Sequence, residues 1–343
     1  MALLNHLMMD IQHAYRAGKE GMGNPYDEDQ SEILAQIQQW DYGFLPYEKP
    51  VKDFLFELLR TTITSIRQGE LSEAESLIHA MKGIIESSKL SVDSQHVCIS
   101  YVEAAGAYLD YKLHRYDQAM ERLLGALVLD EQLERRNPNF AYMHLHRIML
   151  LDNWIRVLSY RQQQLEAVDL AFHILDYLER KIPSLPLPTT WDSAQLVLYP
   201  VDALSILFRT VTAEIAEIVT GKEILEGPEE AVPLRDVFIA ARHHTTSHRS
   251  GSCPLSPSAH DWLCLKQAAI DEDLAVFHRY AARLLAAGPG KLPTLWYATI
   301  VEVIILSRRN LDRDRGAFCE EVKQDVHSWR RFPSAWKAII DGE

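Results

Sequence analysis

Cysteine and basic residues are scarce in this sequence, and both shortages narrow what the protein can be. Its 343 residues include four cysteines, widely separated and without a Cys-x-x-Cys pair, so we expect free thiols in a reducing compartment. Lysine and arginine number 35 against 48 aspartates and glutamates, a formal charge of −13. Because phosphate binding needs a basic surface, nucleic acid is not an expected ligand, and the acidic surface favours basic protein partners.

Long apolar runs and strand-like alternation are also missing. The N-terminal residues lack a basic leading segment and a cleavage site, so they do not predict a signal peptide. The most continuous apolar run, Trp296 to Leu306, contains Glu302 and is about half the ~20 residues that a membrane-spanning helix needs. We therefore expect a soluble, cytoplasmic protein with an all-α fold and no membrane partner.

Motifs that would name a reaction are absent. The sequence has no glycine-rich phosphate loop, no serine nucleophile elbow and no spaced Cys-His-Asn set, all of which place reactive groups in a fixed geometry. No catalytic residue and no cofactor are predicted.

A turn-helix pattern is the most specific feature present. From Tyr116 to Asp130 the sequence reads YDQAMERLLGALVLD, with an aromatic residue at a turn and then small and apolar residues at helical steps. The pattern consists of Tyr116, Ala119, Leu123, Ala126, Leu127 and Asp130. Equivalent alanines open helices at Ala74 and Ala167, 45 residues before and 48 residues after Ala119.

This pattern resembles the second helix of a tetratricopeptide repeat, in units longer than the usual ~34 residues. The resemblance covers about residues 50–181 and is specific near residues 100–131. It implies a right-handed α-α superhelix of helical hairpins, here followed by a second helical lobe. The predicted domains are residues 1–50 (N-terminal helices and an aromatic connector), 51–181 (hairpins) and 182–343 (C-terminal lobe), with the proline-rich segment Ile182 to Thr190 at the second boundary.

The resemblance also implies a binding surface, because the first helix of each tetratricopeptide hairpin lines a concave groove for a peptide or partner helix. Transferring this register by the alanines predicts the following partner-binding residues: Arg67, Tyr108, Tyr111, Lys112, Asp152, Arg156 and Tyr160. The leading hypothesis is a non-enzymatic interaction protein with a basic protein or peptide partner, such as an adaptor, a scaffold, or an immunity or antitoxin protein.

An enzyme or ligand-binding protein with its site in the C-terminal lobe is the alternative. A His/Cys-rich loop suggests zinc, since imidazole and thiolate suit that metal. The weak metal candidates are His244, His248, Cys253, His260 and Cys264. A pocket there would have Tyr280, Trp296 and Tyr297 as its walls.

Local sequence context predicts the positions of four further groups of residues. Gly18 is expected to end the first helix, and Thr190 to cap a long helix that is kinked at Pro200. Asp271 to Asp273 are expected at a helix N-terminus, where negative charge is favourable. His144 and His146 are expected on the surface or at the edge of the core, because positions two apart point to different helix faces.

Overall fold

The computed structural model describes residues 2–20, 43–222, 228–246, 255–290, 293–310, 316–329 and 332–342. Within these ranges the regular structure is helical and no strand occurs, which confirms the predicted all-α class. Among the same residues, no helix combines the length and apolar character needed to cross a bilayer.

The helices are numbered here in chain order. The first half of the chain contains α1 (Ala2–Glu20), α2 (Lys49–Gln68), α3 (Leu71–Ser87), α4 (Val92–Lys112), α5 (Tyr116–Arg136), α6 (Met143–Tyr160) and α7 (Gln164–Leu178). The second half contains α8 (Val201–Val219), α9 (Pro228–Thr246), α10 (Pro257–Ile270), α11 (Leu274–Ala287), α12 (Thr294–Asn310), α13 (Gly316–Val326) and α14 (Ser334–Asp341). Short 3₁₀ helices occur at Pro138–Phe140 and Ser193–Leu198.

The chain divides into two compact units. The hairpin unit comprises Leu34–Ala167 and Pro183–Tyr199, and the terminal unit comprises Met1–Ile33, Val168–Ile182 and Pro200–Glu343. The division differs from the predicted domains in three segments. Val168–Ile182, which contains most of α7 and was predicted within the hairpins, belongs to the terminal unit. Helix α1 belongs with the C-terminal helices, and the proline-rich segment belongs with the hairpins.

In the hairpin unit, each helix from α2 to α5 packs against the next one, and α4 also contacts α2 and α6. Helices α4 and α6 bury 12 residues each, whereas α3 buries four and α5 six. Helices α4 and α6, which are the first helices of the second and third hairpins, are therefore covered on several sides. Helices α3 and α5 each bury a single stripe. The packing agrees with stacked hairpins, and the right-handed superhelix remains a prediction.

A buried carboxylate, Glu48, joins the starts of α2 and α4. Its side chain accepts hydrogen bonds from the Leu45 amide (2.8 Å), the Ser91 amide (2.5 Å) and the Ser94 hydroxyl (2.8 Å). Burial opposes ionisation, but these hydrogen bonds outweigh it and lower the pKa of Glu48. The interaction fixes the start of α4 relative to α2, because Glu48 directly precedes α2 and binds the Ser91 amide and the Ser94 hydroxyl at the start of α4.

The terminal unit is built around an aromatic core. The hairpin α10–α11 packs against α12, and α1 lies along α11. Stacked, tilted or edge-to-face ring contacts join the following residues: Tyr15, Trp296, Tyr297, Phe318, Trp329, Phe332 and Trp336. Such pairs add to the burial of their large apolar surfaces.

Two predicted helix ends were wrong. Helix α1 continues past Gly18 to Glu20; a Cβ at Gly18 would lie 1.9 Å from the Leu285 carbonyl oxygen, so this glycine allows α1 and α11 to approach closely. No long helix starts at Thr190. Helix α8 begins at Val201, directly after Pro200. A helix that started at Thr190 could not continue through Pro200, because proline lacks the amide hydrogen and its ring clashes with the preceding turn.

Candidate functional site

The turns of four helical hairpins share one backbone geometry. One or two residues after the end of each first helix, the backbone has a positive φ: 84° at Gly69, 59° at His114, 62° at Gln162 and 58° at Glu272. The amide of the next residue bonds to the carbonyl five positions back, at 2.8 to 3.0 Å. This 6→1 hydrogen bond around a left-handed residue is the Schellman motif that ends many helices.

The alanines on which the sequence alignment rested follow these turns at a constant distance. Ala74, Ala119 and Ala167 each lie five residues after the left-handed position, and all three are fully buried. Each donates its amide to the carbonyl four residues earlier. The register predicted from small residues therefore identifies equivalent structural positions in all three turns.

Four tyrosines lie together at the end of the hairpin unit that contains the turns after α4 and α6. This end is called the turn end. Tyr111 contacts Tyr108 (6.2 Å between ring centroids), Tyr116 (6.4 Å) and Tyr160 (4.9 Å, edge to face). The ammonium of Lys112 lies 5.6 Å from the centroid of Tyr108 and 5.2 Å from that of Tyr111, within the range of a cation–π interaction. The structure thus brings together four of the seven predicted partner-binding residues, with Tyr160 exposed over 55% of its surface.

A cavity of about 550 Å³ opens beside this cluster. The turns after α4 and α6 provide its walls, together with the first turn of α5. Its lining residues are His114, Arg115, Tyr116, Asp117, Gln118, Tyr160, Arg161 and Gln162. Only Tyr160 among the predicted partner-binding residues belongs to this lining.

Hydrogen bonds and ion pairs order the cavity walls. The guanidinium of Arg161 lies 3.1 Å from the Asp117 carboxylate, and His114 Nδ1 lies 2.8 Å from the Tyr116 hydroxyl. Arg115 is 3.6 Å from both Asp110 and Glu75. The walls therefore offer guanidinium groups, an imidazole, amides and phenols, which suit hydrogen bonding to a polar chain.

The remaining predicted residues lie elsewhere. Asp152 is buried and lies 3.5 Å from Arg156, which also donates to the Asn153 side chain at 2.9 Å. Arg67 is exposed near the C-terminal end of α2. None of these three lines the cavity. The seven predicted partner-binding residues therefore do not form one continuous row: some lie on a covered helix face and others at the ends of helices next to turns.

Sequence reasoning missed His114, Arg115 and Arg161. The signal was present, because the alanine register places His114 five residues before Ala119. These turn residues, however, line a common cavity only because the turn after α6 lies next to the turn after α4, and that proximity is not visible in the sequence.

Two of the weak metal candidates can be located. His260 is buried, its Nε2 lies 2.7 Å from a Glu179 carboxylate oxygen, and its ring stacks on Phe208 at 4.8 Å. Cys264 follows on the same helix. The side chain of His244 and the residues His248 and Cys253 lie outside the described residues. Within the described part of the chain, no group of three or more His, Cys, Asp or Glu side chains is placed to hold a metal ion.

The three residues that were predicted to line a pocket in the terminal unit have other surroundings in the structure. Trp296 and Tyr297 are buried in the aromatic core. Tyr280 lies between Arg279 and Arg283, whose guanidinium carbons are 5.0 and 5.1 Å from its ring centroid.

The carboxylate run beside α11 includes the expected capping residue. Asp273 caps α11 by accepting the Val276 amide at 3.0 Å, whereas Asp271 and Glu272 form the turn before it. The predicted role of negative charge at this N-terminus is confirmed for Asp273.

A Ser–His–Asp set in the hairpin unit does not have catalytic geometry. His146 Nδ1 lies 2.8 Å from Asp130 and 3.4 Å from the Ser100 hydroxyl. A hydrolytic triad uses opposite nitrogens of the imidazole for serine and aspartate, and here both groups meet the same nitrogen. All three side chains are buried, and burial raises the pKa of Asp130 against the opposing effect of His146.

A second buried group, around Arg147, holds the proline-rich segment on the hairpins. Arg147 donates to both carboxylate oxygens of Glu134 (3.0 and 3.2 Å) and to the Thr190 carbonyl (2.7 Å), and lies 3.9 Å from the ring centroid of Trp191. His144 lies 3.2 Å from Glu134. The prediction that the two histidines occupy the surface or core edge was wrong, since both are buried partners of carboxylates.

Comparisons with known proteins do not add a relative. No protein-family model matches the chain, and neither the curated proteins nor the solved structures contain a significant match.

Proposed function

We propose that this protein is a non-enzymatic interaction module that binds a protein or peptide partner at the turn end of its hairpin unit. The observation that carries the proposal is the open cavity of about 550 Å³ beside the exposed ring of Tyr160. Tyrosine and arginine are enriched among residues that dominate interface energies, and the cavity offers both types at adjacent turns.

The packing of Tyr160 supports this role. Its ring meets Tyr111 edge to face, and Tyr111 is buried and further held by Tyr108 and Lys112. An aromatic side chain that is supported from beneath loses little conformational freedom when a partner covers it. Tyr160 is therefore the best candidate for an anchor in this unit.

An adaptor or a scaffold would use such a surface to bind a partner protein. An immunity or antitoxin protein would use it to cover part of the surface of a toxin. The chain's charge of −13 is the basis for predicting a basic partner. That charge is spread over the whole chain, and the local charge at the cavity differs from it.

Photocrosslinking tests the site. Benzoylphenylalanine replaces Tyr160 in the full-length protein, and, as a matched control, Tyr47, another tyrosine of the hairpin unit that is 62% exposed. After irradiation in lysate of the source cells, we expect position 160 to capture one partner that position 47 does not. Equal capture at both positions contradicts the proposal.

A binding measurement with the captured and purified partner completes the test. Tyr160→Ala is expected to raise Kd about tenfold or more, as an interface anchor does, while Tyr47→Ala leaves it within about twofold. Both variants should keep the far-ultraviolet circular dichroism of the parent, because both side chains are largely exposed. An unchanged Kd for Tyr160→Ala in a folded variant overturns the assignment.

A further inference from the structure

We infer that the cavity receives a carboxylate from an acidic segment of the protein partner, with Arg161 as its principal contact. This inference rests on the proposed function and specifies the chemistry of the partner. It reverses, at this site, the expectation of a basic partner that the whole-chain charge produces.

The first observation is the balance of charge on the cavity walls. Two arginines and a histidine line the cavity, against one aspartate, although acidic residues outnumber basic ones by 13 in the whole chain. Among the lining residues, an incoming cation would find one carboxylate, that of Asp117, which is already paired with Arg161. An incoming carboxylate would find Arg161, Arg115 and the imidazole of His114.

The second observation is that Asp117 occupies the position of such a carboxylate. Its oxygen lies 3.1 Å from Arg161, and its side chain is 85% exposed against 35% for the arginine. Exposed ion pairs of this kind contribute little to stability, so a partner carboxylate can take the place of Asp117. Arginine is well suited to this exchange because its planar guanidinium binds carboxylates with two hydrogen bonds.

Arg115 has a supporting role. Its guanidinium is 3.6 Å from both Glu75 and Asp110, and Asp110 is also bound by Arg122 at 2.7 Å. Because its charge is already shared with two carboxylates, Arg115 attracts a new anion less strongly than Arg161. Its loss is expected to weaken binding less.

The start of α5 adds to the attraction. The residues Tyr116, Asp117 and Gln118 belong both to the cavity lining and to the first turn of this 21-residue helix, and the N-cap residue, Arg115, makes no capping hydrogen bond with its side chain. The N-terminal end of a helix carries a partial positive charge, which favours an anion near its first amides. This effect supports the contact with Arg161 and would not by itself define a site.

The nature of the partner follows from the remaining walls. Tyr160 and the two glutamines offer an aromatic face and amide groups, which suit a peptide with an apolar side chain next to its acidic one. A nucleic acid would bring many phosphates to a chain of charge −13, which opposes its binding. An acidic protein segment brings one or two carboxylates and can turn its neutral residues to the rest of the surface.

Panning a phage library of random dodecapeptides on the full-length protein tests the inference. We expect the enriched sequences to carry Asp or Glu beside an aromatic or aliphatic residue. With Arg161→Gln as the target, the enrichment of Asp and Glu should disappear, whereas the apolar preference remains. Arg60→Gln is the control, because Arg60 is an exposed arginine on α2 that is also paired with a carboxylate, Glu57; its selected sequences should match those of the parent.

Synthetic versions of one selected peptide give the quantitative test by fluorescence anisotropy. Replacing its acidic residue with Gln is expected to weaken binding about fivefold or more to the parent and to have no effect with Arg161→Gln. Asp117→Asn should bind the acidic peptide about threefold more tightly, since it removes the competing carboxylate.

Two different results would overturn different statements. Enrichment of Lys and Arg, or equal binding of the Glu and Gln peptides, refutes the acidic partner while leaving the interaction site in place. If the selected peptides bind Tyr160→Ala as tightly as the parent, or if no sequence is enriched, the site itself is wrong and the acidic partner fails with it.

Discussion

The turn between α4 and α5 in the hairpin unit and the turn between α10 and α11 in the terminal unit have the same backbone and different side chains. His114 and Glu272 have φ values of 59° and 58°, and the following amide makes the same 6→1 hydrogen bond in both. At the next position, Asp273 caps α11 through its side chain, whereas Arg115 provides no cap for α5. The backbone motif therefore does not fix the role of the side chain that follows the left-handed residue. That side chain stabilises a helix in one turn (Asp273) and lines a cavity in the other (Arg115).

The interiors of the two units differ as well. The hairpin unit encloses paired charges, with Asp130 and Glu134 bound to His146 and Arg147. The terminal unit has stacked aromatic rings around Trp296 and Tyr297. A core of paired charges depends on each partner, because removal of one leaves the other buried and uncompensated. An aromatic core that loses one ring loses its contacts and is left with a cavity, but no charge is left uncompensated.

The largest expected effect is therefore in the hairpin unit. Arg147→Met removes the cationic partner of Glu134 and the donor to the Thr190 carbonyl, and we expect a loss of about 3–5 kcal/mol in unfolding free energy. Urea denaturation followed by circular dichroism and tryptophan fluorescence measures it. Arg135→Met, at an arginine that is exposed on the same helix as Glu134, should cost about 1 kcal/mol or less. Equal effects of the two substitutions would show that the buried pair is not the source of stability.

A smaller effect separates the two turns. Asp273→Ala removes the side-chain cap of α11 and is expected to cost about 1 kcal/mol, the usual value for an N-cap. Arg115→Ala at the equivalent position removes no cap, and its ion pairs are partly exposed, so a loss of about 0.5 kcal/mol or less is expected. Thermal unfolding of the two variants beside the parent makes the comparison, and a greater loss for Arg115→Ala would reverse it.

The smallest effect concerns the left-handed residue of the turn. Gln162 has a φ of 62°, where a side chain costs about 1–2 kcal/mol that glycine does not incur. Glycine is also more flexible in the unfolded chain, by about 0.5–1 kcal/mol. Gln162→Gly is therefore expected to stabilise the protein by about 0.5 kcal/mol, measured as an increase in the urea midpoint.

An opposite control is available on α5. Gln132 is exposed within that helix, where Gln→Gly should destabilise by about 0.5–1 kcal/mol because glycine is a poor helix former. A loss of stability in both variants would indicate that the side chain of Gln162 contributes contacts that outweigh its backbone strain.

Much of the fold could be predicted from local pattern. Residues 51–181 were expected to form helical hairpins, and α3 to α7 lie within that range, because apolar spacing and turn residues act over one or two helical turns. The alanines were sufficient to align the turns, since a small residue is required wherever a neighbouring helix approaches closely.

The candidate site was predicted only in part. Tyr108, Tyr111, Lys112 and Tyr160 were expected to share a surface, and they do lie together at the turn end. Asp152 was expected on the same surface but is buried. A register transferred along α6 gives the face of a residue, whereas the cover on that face depends on the packing of the whole helix.

The sequence by itself determined that this protein is helical, that equivalent alanines recur near the starts of three helices, and that it has no glycine-rich phosphate loop, serine nucleophile elbow or spaced Cys-His-Asn set. These are consequences of spacing along the chain, which backbone geometry and side-chain size translate directly into helices and turns. Only the tertiary structure decided that Arg161 lies against Asp117 beside a cavity and that Arg147 is buried between Glu134 and Trp191. The reason is that charge pairing and burial depend on distances between residues that are remote in sequence, and those distances are set by the packing of several helices at once.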